Sequence, residues 1–74
     1  MLNETDFRRI LALNVRIERF KKNMTQEQLA ELANVSHKHI TKIENSGVTP
    51  SIYLIYRVAS VLNVSIDKLL REPD

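Results

Sequence analysis

The side chains best able to do chemistry lie in one ten-residue segment, SHKHITKIEN, from Ser36 to Asn45. The ammonium groups of Lys38 and Lys42 can donate hydrogen bonds to O6 and N7 of guanine, and His37 can contact a purine N7 or a phosphate. If the segment is a helix that buries its two isoleucines, these polar side chains project from the opposite face, which carries no acid. Such a face permits contact with nucleic acid, although an ordinary solvated helix surface is the commoner explanation of this composition when the segment is considered alone.

The same residues argue against catalysis and metal binding. His37 and His39 are two positions apart, and on a helix they point in different directions, whereas a helical metal pair needs a spacing of three or four. The chain has no cysteine. Ser36 and Ser51 stand where helices begin, so capping explains both hydroxyls. We therefore expect a protein that is not an enzyme and that uses no cofactor or metal.

Length and composition indicate one small intracellular domain. The chain has 74 residues, and we expect residues 1–74 to form a single domain. No apolar run approaches the roughly 18 residues of a membrane span, and the start, MLNETDFRR, does not resemble a signal peptide. A soluble cytoplasmic protein is expected.

The net charge of +2 says little about partners, but its distribution is uneven. Residues 8–22 contain six basic side chains and only one acid, Glu18. A solvated helix face is the commoner explanation of such a run, and a nucleic-acid surface is the alternative.

Apolar periodicity is helical along most of the chain. A first helix is expected from Asp6 to Lys22, capped by Asn3 or Thr5. Its apolar stripe would contain Ile10, Leu13, Ile17 and Phe20, widened by Leu11 and Val15.

Four further helix starts carry a hydroxyl side chain that can cap the first turn. These residues are Thr25, Ser36, Ser51 and Ser65. Gln28 stands three residues after Thr25, as in a capping box. Two helices would end at Asn34 and Asn63, since asparagine tolerates the left-handed backbone that a sharp reversal needs. The pattern predicts an all-α fold of five helices.

The central segment TQEQLAELANVSHKHITKIE, residues 25–44, reads as two short helices joined by an abrupt turn. Ala30 is small enough to let a second helix cross closely, and Asn34 marks the reversal. Two helices that cross at roughly 90–120° through a turn of three or four residues require such a pattern.

This segment resembles the helix-turn-helix of the Cro and phage-repressor family, also called the XRE type. Upstream, VRIERFKKNMTQEQLA matches the first helix of that family, including Val15 and Arg19. Downstream, IEN and TPSIYLIYRVASVLNVSIDKLL match its last helices, so the resemblance covers roughly residues 12 to 71. Asn34 and Asn63 replace the usual glycines, and the first ten or so residues exceed the family core.

The resemblance implies a compact five-helix, lambda-repressor-like DNA-binding domain and a sequence-specific transcriptional regulator, most simply a repressor. Such a protein would be encoded by a bacterium or a phage and associated with the nucleoid. Helix 36–45 would read the major groove of double-stranded DNA. The resemblance places base contacts at His37, Lys38, Thr41 and Lys42. It places contacts to the DNA backbone at Thr25, Gln26, Ser36, His39, Asn45, Ser46, Ser51 and Tyr53. Gln26 would also brace the first residue of the recognition helix. For His39, a solvated surface position is an equal alternative. Arg19 and Glu44 would form a structural ion pair.

A homodimer on a near-palindromic operator is also expected, because one recognition helix reads too few base pairs to address a genome. We expect Leu13, Ile17 and Leu70 to contribute to the dimer contact. Val15, Phe20, Ile66 and Leu69 are assigned to the core. The alternative function is a helix-turn-helix adaptor or antitoxin-like component without DNA specificity of its own. The basic face of the 36–45 helix disfavours that alternative.

Overall fold

Five α-helices follow one another in the computed structural model, which describes residues 3–73 and contains no strand among them. Their bounds are α1 Glu4–Lys21, α2 Gln26–Ala33, α3 His37–Glu44, α4 Ile52–Leu62 and α5 Ile66–Leu70. The predicted all-α, five-helix fold is confirmed. None of these helices is both long and apolar enough to cross a membrane.

Every helix begins at a capping side chain that accepts a hydrogen bond from the backbone N–H three residues later. The caps are Asn3, Thr25, Ser36, Ser51 and Ser65. Thr25 and Gln28 form the expected reciprocal capping box. Because Asn3 is the first cap, α1 starts two residues earlier than the predicted Asp6.

More helices are followed by a residue with left-handed backbone conformation than the sequence predicted. Asn34 and Asn63 have φ values of 57° and 58°, as predicted. Asn23 after α1 and Ser46 after α3 also have positive φ. Each such residue lets the chain turn directly into the next segment while nearby amides satisfy carbonyls of the last turn.

One core joins the helices. α1 packs on α3 and α5, and α2 packs on α3 and α4. The core is completed by buried side chains from all five helices: Leu11, Val15, Leu29, Ala30, Ala33, Ile40, Ile43, Ile55, Val58, Ala59, Leu62 and Leu69. α3 is therefore held from behind by α1 and α2, and its opposite face is left for other contacts.

The buried stripe of α1 differs from the predicted one. The helix buries Ile10, Leu11, Asn14, Val15, Glu18 and Arg19, whereas Leu13 and Ile17 are only partly buried. Assignment of Phe20 to the core was wrong, since this residue is 64% exposed. Its ring instead lies under the Arg19 guanidinium, with Cζ 4.6 Å from the ring centroid, which is within the range of a cation–π contact.

Two polar side chains join helices that are distant in sequence. The buried Asn14 amide donates to the carbonyls of Leu69 and Arg71, at 2.8 and 2.7 Å, and so fastens α1 to the end of α5. Arg57 on α4 donates to the carbonyls of Ala33 and Asn34, where α2 ends. Both contacts satisfy carbonyls that a helix end leaves free.

Candidate nucleic-acid interface

The helix-turn-helix consists of α2, a three-residue turn and α3. The turn begins at the left-handed Asn34 and ends at Ser36, whose hydroxyl accepts from the N–H of His39 at 3.0 Å. Val35 between them donates its N–H to the carbonyl of Ala30 at 2.9 Å. Together with the Arg57 contacts at the end of α2, these bonds fix the angle at which α3 leaves the turn.

The outer face of α3 is basic and carries no free acid. His37, Lys38 and Lys42 are exposed, while the isoleucines of the helix are buried. The one acid of α3, Glu44, is only 3% exposed and faces inward. Donor groups and positive charge therefore dominate the solvent side of this helix, as expected from the sequence.

A buried ion pair ties α1 to α3. Arg19 Nε lies 2.8 Å from Glu44 Oε2, and a second guanidinium nitrogen lies 2.9 Å from Glu44 Oε1. Arg19 also donates to the carbonyl of Met24, at 2.8 Å, just before α2. Hydrogen bonding to Glu44 raises the pKa of Arg19 above its ordinary value, so the cation is fixed where three helices meet.

Gln26 lies between this ion pair and the outer face of α3. Its amide nitrogen donates to Glu44 Oε1 at 3.0 Å, and its amide oxygen accepts from the Thr41 hydroxyl at 2.9 Å. His37 Nε2 is 3.2 Å from the same oxygen. The first residue of α2 thus braces the first residue of α3.

His39 occupies a less open position than its neighbours on α3. The residue is half-buried, and its Nε2 is shielded without a hydrogen-bond partner among residues 3–73. Because Nε2 has almost no exposed surface, a phosphate cannot reach this nitrogen in the present side-chain conformation.

The loop from α3 to α4 is held by the start of α1. The Thr49 hydroxyl donates to Glu4, while Arg8 donates to Thr49 at 2.8 Å and to Glu4 at 3.2 Å. The Thr49 hydroxyl and the Arg8 charge hold the pKa of Glu4 below its ordinary value. This exposed cluster steadies the loop that carries Asn45, Ser46 and Ser51, and it includes two residues from the extension beyond the family core.

Comparison with known proteins places the chain in a family. The family model described as Helix-turn-helix matches residues 14–69. The chain belongs to the helix-turn-helix family. This is the Cro and phage-repressor type that the sequence resembles. Members regulate transcription by binding DNA, and the chain is accordingly a DNA-binding transcriptional regulator of the helix-turn-helix family.

Individual relatives agree with this assignment. Control protein C.SmaI of Serratia marcescens is 37% identical over 65 residues, which span 88% of this chain and 77% of the relative. A hypothetical transcription factor from Neisseria, known from its crystal structure, shares 30% sequence identity with this chain. The two structures superpose with a TM-score of 0.90, and the alignment covers 96% of this chain and 82% of that one. The restriction-modification controller protein C.AhdI from Aeromonas hydrophila, at 22% identity and a TM-score of 0.81, shares the fold. The alignment of the two structures covers 84% of this chain and 94% of C.AhdI.

Most cations in the basic run of the first helix are paired within the chain. Four of its cations are engaged with acids of the chain itself: Arg8 with Glu4, Arg9 with Glu72, Arg19 with Glu44, and Lys21 with Glu18. Their partners lie from three to 63 residues away. The positive charge of residues 8–22 is therefore largely balanced by acids of the same chain.

Proposed function

We propose that this regulator is a homodimeric repressor that reads a near-palindromic operator with the outer face of α3. The observation that carries the proposal is the acid-free face of this helix, on which His37, Lys38 and Lys42 are exposed while Glu44 is withdrawn into an ion pair. A helix supported from behind and basic in front suits insertion into the major groove.

Base contacts would come from four side chains of α3, namely His37, Lys38, Thr41 and Lys42. The two ammonium groups suit guanine O6 and N7, which are both acceptors. His37 and Thr41 are held by Gln26, so each would approach a base in one preset orientation.

Backbone contacts would come from residues at helix starts and in the α3–α4 loop. These are Thr25, Gln26, Ser36, His39, Asn45, Ser46, Ser51 and Tyr53. The hydroxyls of the three capping residues among them accept from backbone N–H groups, so each keeps its own proton for a phosphate oxygen. The starts of α2, α3 and α4 also present backbone N–H groups to an anion.

Substitution of the two lysines tests this interface. Lys38→Ala and Lys42→Ala should each weaken binding to the best selected duplex by about 1–3 kcal/mol and relax preference at particular base pairs. Electrophoretic mobility shift or fluorescence anisotropy measures the loss. Lys68→Ala, which removes the same charge from an exposed position on α5, is the matched control and should bind like the parent. If both α3 variants also bind like the parent, α3 does not read the DNA.

The proposed dimer contact uses the partly buried apolar side chains of α1 and α5. Leu13, Ile17 and Leu70 are neither fully exposed nor fully buried, and α1 packs directly against α5. Partly exposed apolar side chains on adjoining helices are candidates for an interface. A dimer through this region would set two recognition helices about 34 Å apart.

Analytical ultracentrifugation at micromolar concentration tests the dimer, with and without a palindromic duplex. We expect two chains on each duplex. Ile17→Lys should raise the dimer dissociation constant about tenfold or more, because an ammonium group is forced into an apolar contact. Leu32→Lys changes an apolar residue that is 63% exposed on α2 and serves as the control. One chain bound to each duplex would remove the dimer from the proposal.

The remaining parts of the proposal follow from the family assignment and the sequence. The protein would act as a single domain over residues 1–74, without cofactor, metal or catalytic step, on the nucleoid in the cytoplasm. Its output would depend on its concentration, its partners and its turnover.

A further inference from the structure

A chain of hydrogen bonds runs from the buried ion pair to the outer face of α3. Both oxygens of Glu44 accept from Arg19, and Oε1 also accepts from the amide nitrogen of Gln26 at 3.0 Å. The amide oxygen of Gln26 then meets the Thr41 hydroxyl at 2.9 Å and His37 Nε2 at 3.2 Å. Every polar group in this chain is therefore connected to a carboxylate that is 3% exposed.

The chemistry of these groups fixes the direction of each bond. A carboxylate paired with a guanidinium only accepts, so Gln26 must turn its NH₂ group, and not its oxygen, toward Glu44. The Gln26 oxygen, which also only accepts, must then face Thr41 and His37. It follows that Thr41 donates its hydroxyl proton to Gln26 and that the proton of a neutral His37 ring stands on Nε2.

This arrangement leaves acceptors on the DNA side. With its proton directed at Gln26, the Thr41 oxygen offers only lone pairs to a base. With Nε2 protonated, Nδ1 of the neutral His37 ring is an acceptor. Glu27 Oε1 lies 4.0 Å from Nδ1, beyond hydrogen-bond distance, and so does not hold a proton there. Lys38 and Lys42 on the same helix have only donors.

We propose that Glu44, acting through Gln26, sets His37 and Thr41 as hydrogen-bond acceptors toward DNA, so that they select the exocyclic amino groups of adenine or cytosine. In the major groove these are N6 of adenine and N4 of cytosine, while the acceptors O6 and N7 are left to the lysines. Gln26 and Glu44 are positioning residues for this selection. The inference rests on the proposed reading of bases by α3.

The first test measures the proton on His37 without DNA. In ¹⁵N–¹H spectra of the imidazole groups at pH 8.5, the parent protein should show His37 in the Nε2–H form alone. Gln26→Met removes the oxygen that accepts from His37 Nε2 and should give a mixture of both tautomers. Glu44→Gln should do the same, because an amide at position 44 allows the Gln26 amide to turn over and exchange its oxygen and nitrogen. Gln26 is only partly buried, whereas Glu44 is 3% exposed, so Gln26→Met keeps the test informative if Glu44→Gln fails to fold. His39, whose Nε2 has no partner within residues 3–73, serves as an internal control and should not respond. A populated Nδ1–H form of His37 in the parent, or equal tautomer populations in parent and Gln26→Met, would overturn the inference.

The second test uses base analogues in a selected duplex at the same pH. At the base pair whose preference is lost in His37→Ala, removal of the amino group should weaken the parent about fivefold, in line with one hydrogen bond. Purine in place of adenine, or 2-pyrimidinone in place of cytosine, makes that change. His37→Ala itself should not respond to the analogue. A 7-deazapurine, which removes the N7 acceptor, should not change binding at this base pair. At the base pair read by Lys42, the 7-deazapurine should weaken binding, and loss of the amino group should not.

The outcomes separate the inference from the proposed function. If, at the base pair read by His37, binding weakens with 7-deazapurine and not with loss of the amino group, the acceptor role of His37 is refuted. That result would leave DNA reading by α3 intact. Failure to select any duplex would refute the proposed function and the selection of amino groups with it, and the tautomer measurement would still decide the direction of the hydrogen bonds.

Discussion

Glu44→Ala should lower the free energy of unfolding by about 3–5 kcal/mol, because it leaves the Arg19 guanidinium buried without its counter-ion. Arg19 is 8% exposed and Glu44 3% exposed, and two short hydrogen bonds join them. A domain of this size has a total stability of about 4–11 kcal/mol. Its thermal midpoint should therefore fall by roughly 12–20 °C or more, as measured by circular dichroism.

Arg19→Ala should have an effect of similar size, since it strands the carboxylate and also removes a bond to the Met24 carbonyl. The double variant should cost less than the sum of the two single variants, as expected of one interacting pair. Arg9→Ala is the matched control. Arg9 pairs with Glu72 at 2.8 Å, but both side chains are more than half exposed, and such surface pairs contribute only about 0–1 kcal/mol. Unchanged melting of Glu44→Ala together with lost DNA binding would mean that the pair acts in recognition and not in folding.

Affinity for the cognate duplex should fall by roughly 10²- to 10⁴-fold between 50 and 200 mM salt. Lysine and arginine side chains that neutralise phosphates release condensed counterions, and about 4–8 phosphate contacts in a dimer give a log–log slope near −4 to −7. Fluorescence anisotropy at a series of salt concentrations measures the slope.

The salt dependence of DNA binding by Lys68→Ala should have the same slope as that of the parent, because Lys68 is exposed and is not among the proposed DNA contacts. The alternative function, an adaptor or antitoxin-like component that binds protein, requires no release of counterions. A flat dependence on salt would therefore favour that alternative over DNA recognition.

Local signals in the sequence were sufficient to predict the helices. A capping residue acts on an N–H group only three positions away, so Thr25, Ser36, Ser51 and Ser65 could be assigned without knowledge of the fold. The left-handed Asn34 was also predictable, because the apolar pattern on either side of it requires a reversal. Ser46 was missed, since a serine with positive φ has no comparable signature.

The buried face of α1 could not be predicted from apolar residues alone. Asn14, Glu18 and Arg19 occupy that face, because a polar side chain can be buried when it has a partner. The partners of Asn14 lie 55 and 57 residues away, at the end of α5. Without knowledge of those partners the apolar stripe was placed about one position off, and Phe20 was assigned to the core.

The candidate interface was predictable in outline, but its connections only in part. The outer face of α3 follows from helical geometry once the buried isoleucines are identified. The link from Gln26 to Glu44, Thr41 and His37 joins residues that are 11 to 18 positions apart. The resemblance implied that Gln26 braces the first residue of the recognition helix. Its contacts with Glu44 and Thr41 depend on how α2 and α3 cross, and no signal in the sequence indicated them.

Selection of binding sites from random duplexes tests the central claim most directly. The parent protein should enrich one motif of two inverted half-sites, whose centres are about one helical turn, or 10 base pairs, apart. The variant with alanine at both Lys38 and Lys42 should lose that enrichment while keeping the circular dichroism spectrum of the parent. A pool that stays random with a folded parent protein, or the same motif from the doubly substituted variant, would contradict the claim that α3 reads DNA.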